Sequence, residues 1–268
     1  MEEMIGKLLG SGGTSNVYEW GNTKVVKIFK SHVSDDAIKN EMYIGQILSK
    51  FPLDMPKYIG SIDLKGKMAL IYERINGEIM AEPLLKGIYK TELANKFAQM
   101  HYDIHRKEIN ELPSQYEFLK NRIIELRSNL GDKSTQSLLS LLDSIPIDNS
   151  LCHGDFQPFN IIGKADKYIA IDWNDACSGN PILDVAWSYM TLNSPIIKRL
   201  LGESISEIFA HFTKDYLSYY CKLTGSKQEH IHRCLPIVAS RRLYDNLMHD
   251  NENSRQENEW LYNFIQKA

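Results

Sequence analysis

The sequence predicts an α+β protein of two lobes: a small N-terminal lobe, residues 1–76, with an antiparallel β-sheet and one helix, and a larger, mainly helical C-terminal lobe, residues 77–268. Three observations predict it. Five short apolar runs, separated by turn residues, crowd into the first lobe and read as strands. A single helical pattern interrupts them. From Gly77 onward the apolar residues recur mainly at helical spacing, broken by one short hairpin. A cleft is expected between the lobes.

"MIGKLLG" and "NVYEW" read as two strands around a glycine-rich turn, and "KVVKIFK" follows after Gly21–Asn22, a dipeptide that suits a hairpin reversal. "DDAIKNEMYIGQILSK" reads as a helix. Ser34 can cap it, Asp35 and Asp36 suit its first turn, and Pro52 and Pro56 stop it. "PKYIGSIDL" and "KMALIYERI", turning at Lys65–Gly66, complete the sheet. In the second lobe "TELANKFAQMHYDIHR" places Leu93, Phe97, Met100 and Ile104 on one helical face, and "STQSLLSLLDSI" is another helix. "NIIG" and "KYIAIDW" form the hairpin, turning at Ala165–Asp166. Beyond Pro195 helical alternation runs almost to the end, with Pro236 marking a start or a kink.

At 43% hydrophobic, the 268 residues suffice for a real core. A net charge of −3 lacks the basic footprint of a nucleic-acid binder, and Arg241–Arg242 reads as a solvated helix face. Cys152, Cys177, Cys221 and Cys234 form no C-x-x-C pair and read as reduced thiols of a cytoplasmic protein. No apolar stretch approaches ~18 residues, so no membrane partner is expected. The acidic N-terminus lacks the charge pattern of a signal peptide.

Six features then occur in order. "LGSGGTSNV" sets glycines between two strands, where backbone amides can approach phosphate oxygens; a plain glycine-rich hairpin is the equal alternative. Lys27 sits mid-strand between apolar neighbours, within reach of nucleotide phosphates or simply on a strand surface. Glu41 lies close to the apolar stripe of the following helix, as a partner for Lys27 or as a solvated glutamate. In "HGDFQPFN" Asp155 and Asn160 are spaced D-x-x-x-x-N, the spacing of a loop supplying a base for an acceptor hydroxyl and an amide oxygen for a metal ion. A hairpin follows, and Asp172 in "AIDW" ends its second strand. Each feature alone has a plain structural reading; their order points to metal-assisted phosphoryl transfer.

On these residues the chain resembles the aminoglycoside phosphotransferase and choline kinase-like family, which has a protein-kinase-like fold. "HGDFQPFNII", "IAIDWNDACSGNPILDVAWSY" and "LGSGGTSNVYEWGNTKVVKIF" carry the likeness, with "HGD" in place of "HRD" and "IDW" in place of "DFG". The resemblance implies that Gly10, Ser11, Gly12 and Gly13 cover the triphosphate, that Lys27 binds the α/β phosphates and that Glu41 orients it. It implies that Glu73 to Ile75 is the hinge for the adenine, Asp155 the catalytic base, and Asn160 and Asp172 the metal ligands. His153 and Asp184 would brace the catalytic loop. The implied nucleotide is ATP, with GTP left open, and the implied metal is Mg2+. Gln157 stands where many relatives have His, and Phe159 where many have a small residue.

The stretch between Asp172 and Asp184 is too short for a peptide platform, so a small-molecule hydroxyl acceptor is expected over a protein. Gln157 and Asp175 are the acceptor-site candidates. An acidic wall of Asp245, Asp250, Glu252, Glu257 and Glu259 would suit a polycationic aminoglycoside; a solvated charged face is the plainer reading. Trp173, Trp187, Tyr189, Tyr219 and Tyr220 could supply aromatic faces or core. The alternatives are a metabolic kinase acting on choline, a thiamine-like alcohol or a sugar, and a nucleotide-binding pseudokinase, against which stand Lys27, Asp155, Asn160 and Asp172, all present.

Overall fold

Five N-terminal strands, β1 (Ile5–Ser11), β2 (Ser15–Trp20), β3 (Lys24–Phe29), β4 (Tyr58–Leu64) and β5 (Lys67–Glu73), form one antiparallel sheet in the order β1-β2-β3-β5-β4. The computed structural model describes residues 5–64, 66–164, 167–248 and 252–268. The expected hairpin turn at Ala165–Asp166, Lys65 of the other turn, and Asp250 of the acidic wall lie outside the described residues.

Period-two alternation splits this sheet between two small cores. Trp20, Val26, Ala69 and Ile71 cluster on one face, and Phe29 and Leu70 meet Ile38 of the helix α1 (Asp35–Leu48) on the other. The helix begins where the sequence places it, because the Ser34 hydroxyl accepts the Ala37 amide at 3.2 Å. By chain contacts Met1–Met80 and Phe159–Asp175 form one unit, and Ala81–Pro158 and Ala176–Ala268 another. The hairpin read from sequence as part of the helical lobe therefore clusters with the sheet.

In the first unit a short strand, β6 (Glu78–Ile79), was not anticipated. It pairs with the hairpin strand β8 (Ile161–Lys164), which pairs in turn with β9 (Lys167–Ala170). Gly77 makes this possible: a Cβ there would sit 1.7 Å from the Gly163 carbonyl oxygen.

The second unit holds α2 (Glu82–Leu85), α3 (Thr91–His105), α4 (Gln115–Glu125) and α5 (Arg127–Asp143), then α6 (Pro181–Leu192), α7 (Pro195–Leu201) and α8 (Glu203–Thr224), and finally α9 (Gln228–Arg233), α10 (Leu235–Met248) and α11 (Glu252–Ile265). Two three-residue strands, β7 (Ser150–Cys152) and β10 (Cys177–Gly179), pair antiparallel among them. Pro236 lies in the first turn of α10, where its missing N–H costs nothing. Gly131, with φ 77, interrupts α5 just before the segment the periodicity marked as helical.

The buried face of α3 differs from expectation. It runs Ala94, Phe97, Ala98, His101, Ile104 and His105, with Leu93 and Met100 half-buried at its margin. Two histidines take core positions because they are fully hydrogen-bonded there. The four cysteines are free thiols, as expected. Among the described residues no helix is long and apolar enough to cross a membrane.

Candidate active site

Strand alternation puts Lys27 on the α1 side of the sheet with Phe29, and helical spacing from Ile38 puts Glu41 on the buried stripe of α1. The two meet: Lys27 Nζ lies 2.8 Å from Glu41 Oε1 and donates to Asp172 Oδ1 at 2.7 Å. Tyr72 donates to the same Glu41 oxygen at 3.1 Å. Lys27 is only 6% exposed and Glu41 8%. Burying such ions costs several kcal/mol each unless they are paired and hydrogen-bonded. Burial would lower the lysine's pKa, but the two carboxylates outweigh it and hold it raised, so it stays charged. Burial instead pushes the Glu41 carboxyl up against the pull of Lys27.

Asp172 has φ 63, the only positive value at a non-glycine among the described residues. Such a conformation costs about 1–2 kcal/mol for most L-residues, and Asp is among those that adopt it more readily. Its strand neighbour Ile171 donates its amide to the Asn160 carbonyl at 2.9 Å. Asn160 and Asp172 thus flank the open end of the β8–β9 hairpin. Their side chains offer hard oxygen donors, the type a magnesium ion takes.

The glycine loop needs no glycine for its own sake. Ser11 donates to Asn16 Oδ1 at 2.7 Å, the Gly12 amide to the Ser15 carbonyl at 2.9 Å, and Lys30 Nζ to the Gly12 carbonyl. Neither Gly10 nor Gly13 has a positive φ, and among the described residues no heavy atom lies within 4 Å of where their Cβ would be. A side chain at either position would extend into open space. At the expected hinge, the Glu73 amide donates to the Lys57 carbonyl and the Arg74 amide to the Thr23 carbonyl, both at 2.9 Å, which fixes the chain entering Ile75.

In the second unit, the loop around Asp155 hangs on Asp184 in the first turn of α6. Asp184, 1% exposed, accepts the His153 amide at 2.7 Å and the Gly154 amide at 3.0 Å. It also accepts His101 Nε2 at 3.1 Å and His105 Nε2 at 3.2 Å. A carboxylate only accepts, so both rings take the Nε2–H tautomer, and their Nδ1 atoms accept the hydroxyls of Tyr216 and Tyr220. Burial works to raise the carboxyl's pKa, but the two imidazole donors prevail and hold it well below the usual carboxylate range. Burial, aided by His105, pushes His101 down to about 3. His101, His105 and Asp184 also form a set with converging metal-ligand atoms; here those atoms are engaged in hydrogen bonds to one another and to tyrosines.

Gly154, with φ 81, sits where a side chain would be strained. The buried His153 ring accepts the Asp155 amide at its Nδ1 (3.3 Å), a bracing contact. Phe156, 0% exposed, stacks on Phe97 and His101 with centroids 4.5 and 4.1 Å apart and floors the loop. The half-buried Asp155 receives two N–H donors. Gln157 Nε2 reaches Oδ2 at 2.7 Å, and Trp187 Nε1 reaches Oδ1 at 3.0 Å. Gln157, an expected acceptor contact, donates to the acid beside it. Asp175, the other, is exposed at the end of the first unit.

Two sequence expectations give way here. Arg241 is not solvated: it is 7% exposed, donates to the Gly154 carbonyl at 2.9 Å and lies 3.7 Å from the centroid of Trp187. Its neighbour Arg242 pairs with Glu257 at 3.0 Å. Glu257, 1% exposed, also accepts from Ser194 and Asn246, so it belongs to the core and not to an acidic wall. Trp173, Trp187 and Tyr220 are buried, and Tyr189 and Tyr219 half-buried.

A sheet with a buried lysine–glutamate pair, followed by a mainly helical unit, is the make-up of a kinase-like fold. The model of the Phosphotransferase enzyme family matches residues 7–220, and the chain belongs to that family; it is a small-molecule kinase. Solved structures bear out the fold. APH(2")-IIia, in its GDP and kanamycin complex, is 17% identical, with a TM-score of 0.65 over 98% of this chain and 93% of that one. Amicoumacin kinase hAmiN, in complex with AMP-PNP, Ca2+ and Ami, is 16% identical, with a TM-score of 0.64 over 100% of this chain and 90% of that one. A choline kinase from Cryptosporidium parvum Iowa II is 16% identical, with a TM-score of 0.61 over 100% and 90%.

Proposed function

We propose that the chain transfers the γ-phosphoryl group of ATP, with magnesium, to a hydroxyl of a small molecule in the manner of the aminoglycoside phosphotransferases. The observation that carries this reading is the buried Lys27, held between Glu41 and Asp172 at 2.8 and 2.7 Å. A charge is retained in the core there although an apolar pair would fill the space at lower cost. AMP-PNP in one structural neighbour and GDP in another support a nucleotide.

In this reading the loop from Gly10 to Gly13 lays its backbone over the phosphates, Lys27 takes the α/β oxygens, and Glu41 keeps the ammonium aimed. Glu73 to Ile75 offers main-chain groups to the adenine. Asn160 and Asp172 would hold the magnesium, which would supply positive charge to the phosphates. Asp155 orients the acceptor hydroxyl and takes its proton as the new O–P bond forms and the bond to the ADP oxygen breaks. Gln157 and Trp187 hold the carboxylate for that transfer, and Asp175 is an acceptor-side group. His153 and Asp184 do no proton chemistry. A metabolic alcohol such as choline is the second reading of the acceptor, favoured by the choline kinase neighbour.

A screen for ADP release from ATP and magnesium, run over aminoglycosides, macrolides, choline-like alcohols and sugars, tests the proposal. Turnover with one hydroxyl class, lost when magnesium is chelated, is expected. Phosphorylation of generic protein substrates at rates matching every small alcohol would overturn it.

A further inference from the structure

A column of alternating rings and guanidinium groups runs through the second unit and ends on Asp155. Arg122 of α4 lies 4.0 Å from the Tyr244 ring centroid and 5.1 Å from that of Phe118. Arg241 of α10 lies 5.2 Å from Phe118 and 3.7 Å from Trp187. At the inner end Trp187 donates its indole N–H to Asp155 Oδ1, and Arg241 donates to the carbonyl of Gly154. One stacked pair therefore holds both an oxygen of the acid and the main chain just before it. Gly154 has no side chain of its own to anchor that turn. Arg241 and Tyr244 lie beyond the residues matched by the family, 7–220.

The residue types suit the task. A guanidinium is planar, stays charged when buried and lies flat on ring faces while donating in its own plane. An aliphatic side chain would fill the space at Arg241 without the desolvation cost, but could not hold the Gly154 carbonyl. The indole presents a broad face to Arg241 and an N–H at its edge to Asp155.

We infer that this column positions the acid: Arg241 clamps Trp187 and the Gly154 carbonyl, and Trp187 sets the rotamer of Asp155. Trp187 and Arg241 are then positioning residues for phosphoryl transfer, an inference that rests on Asp155 being the base.

The test needs no identified acceptor. ATP hydrolysis with magnesium, water serving as the hydroxyl, is measured for the wild type, Trp187→Phe, Asp155→Asn and the double variant. Phe keeps a ring beneath Arg241 and removes the N–H together with the pyrrole half of the indole. Trp187→Phe is expected to lower kcat about tenfold to a hundredfold with KM for ATP unchanged, the scale of a slightly misplaced group, and to lower Tm only as far as the smaller ring leaves a cavity, with kcat read well below that Tm. In the Asp155→Asn background it should cost nothing further. Arg241→Met should reproduce the loss, and Arg241→Lys should restore only part of it. Wild-type kcat in Trp187→Phe, with Asp155→Asn impaired, overturns the inference and leaves the base standing. Wild-type kcat in Asp155→Asn removes the base itself. Independently of turnover, the indole N–H resonance lost in Trp187→Phe should move in Asp155→Asn; an unmoved resonance contradicts the contact.

Discussion

Lys27 and Arg241 are both buried cations, and the sequence disclosed only one of them. Lys27 sits on a strand whose alternation is plain, with Glu41 on the apolar stripe of the next helix, so its partner could be named. The pair is expected to serve chemistry and not stability. Replacing both, Lys27→Met with Glu41→Leu, should leave Tm equal or higher, since removing both members of a buried pair is neutral to stabilising by about 1–4 kcal/mol. Phosphoryl transfer should vanish. A double variant that unfolds early in a thermal melt would show that the pair holds the sheet to α1. Arg241 was read as solvated because its partners, Trp187 and the Gly154 carbonyl, are distant in sequence and no local period reports them. Glu257 misled in the same way: its partners on α7 and α10 become neighbours only on folding.

At the level of elements, caps and strong periods were legible and short pieces were not. Ser34 marked the start of α1, and the five sheet strands lie where the apolar runs placed them. β6, β7 and β10 are two or three residues long, too short to show a period. Phe97 and Ile104 of α3 are buried as expected, but His101 and His105 on the same face were missed because histidines count as polar until Asp184, Tyr216 and Tyr220 satisfy them. That same hub makes a prediction about pH. His101 is held at about 3 against an ordinary 6.5. Below 6.5 the unfolded chain binds a proton that the folded chain refuses, so stability falls as pH drops from 6.5 toward 3, by up to about 1.4 kcal/mol per pH unit. Asp184, held low, adds a contribution present above its unfolded value and lost as pH falls below it. Urea midpoints between pH 7 and 4.5 should therefore decline, and His101→Gln should flatten the decline by one proton. Parallel curves for the two proteins would show that the ring already titrates normally.

Over the whole molecule, the family match spans 7–220, and the helices beyond it were legible only as helices. Yet α10 sends Arg241 to the loop that carries Asp155, so a late part of the chain bears on its central residue. In the proposed function the first unit takes the nucleotide and the second the proton. These tasks should separate by mutation: Lys27→Ala should weaken ATP binding, and Asp155→Asn should not. The most direct measurement is turnover of Asp155→Asn on an acceptor found in the ADP-release screen, taken alongside its Kd for a non-hydrolysable ATP analogue. The account predicts a fall in kcat of about 10²–10⁴-fold, the usual contribution of a general base, with Kd essentially unchanged. Near-normal turnover in that variant would contradict it.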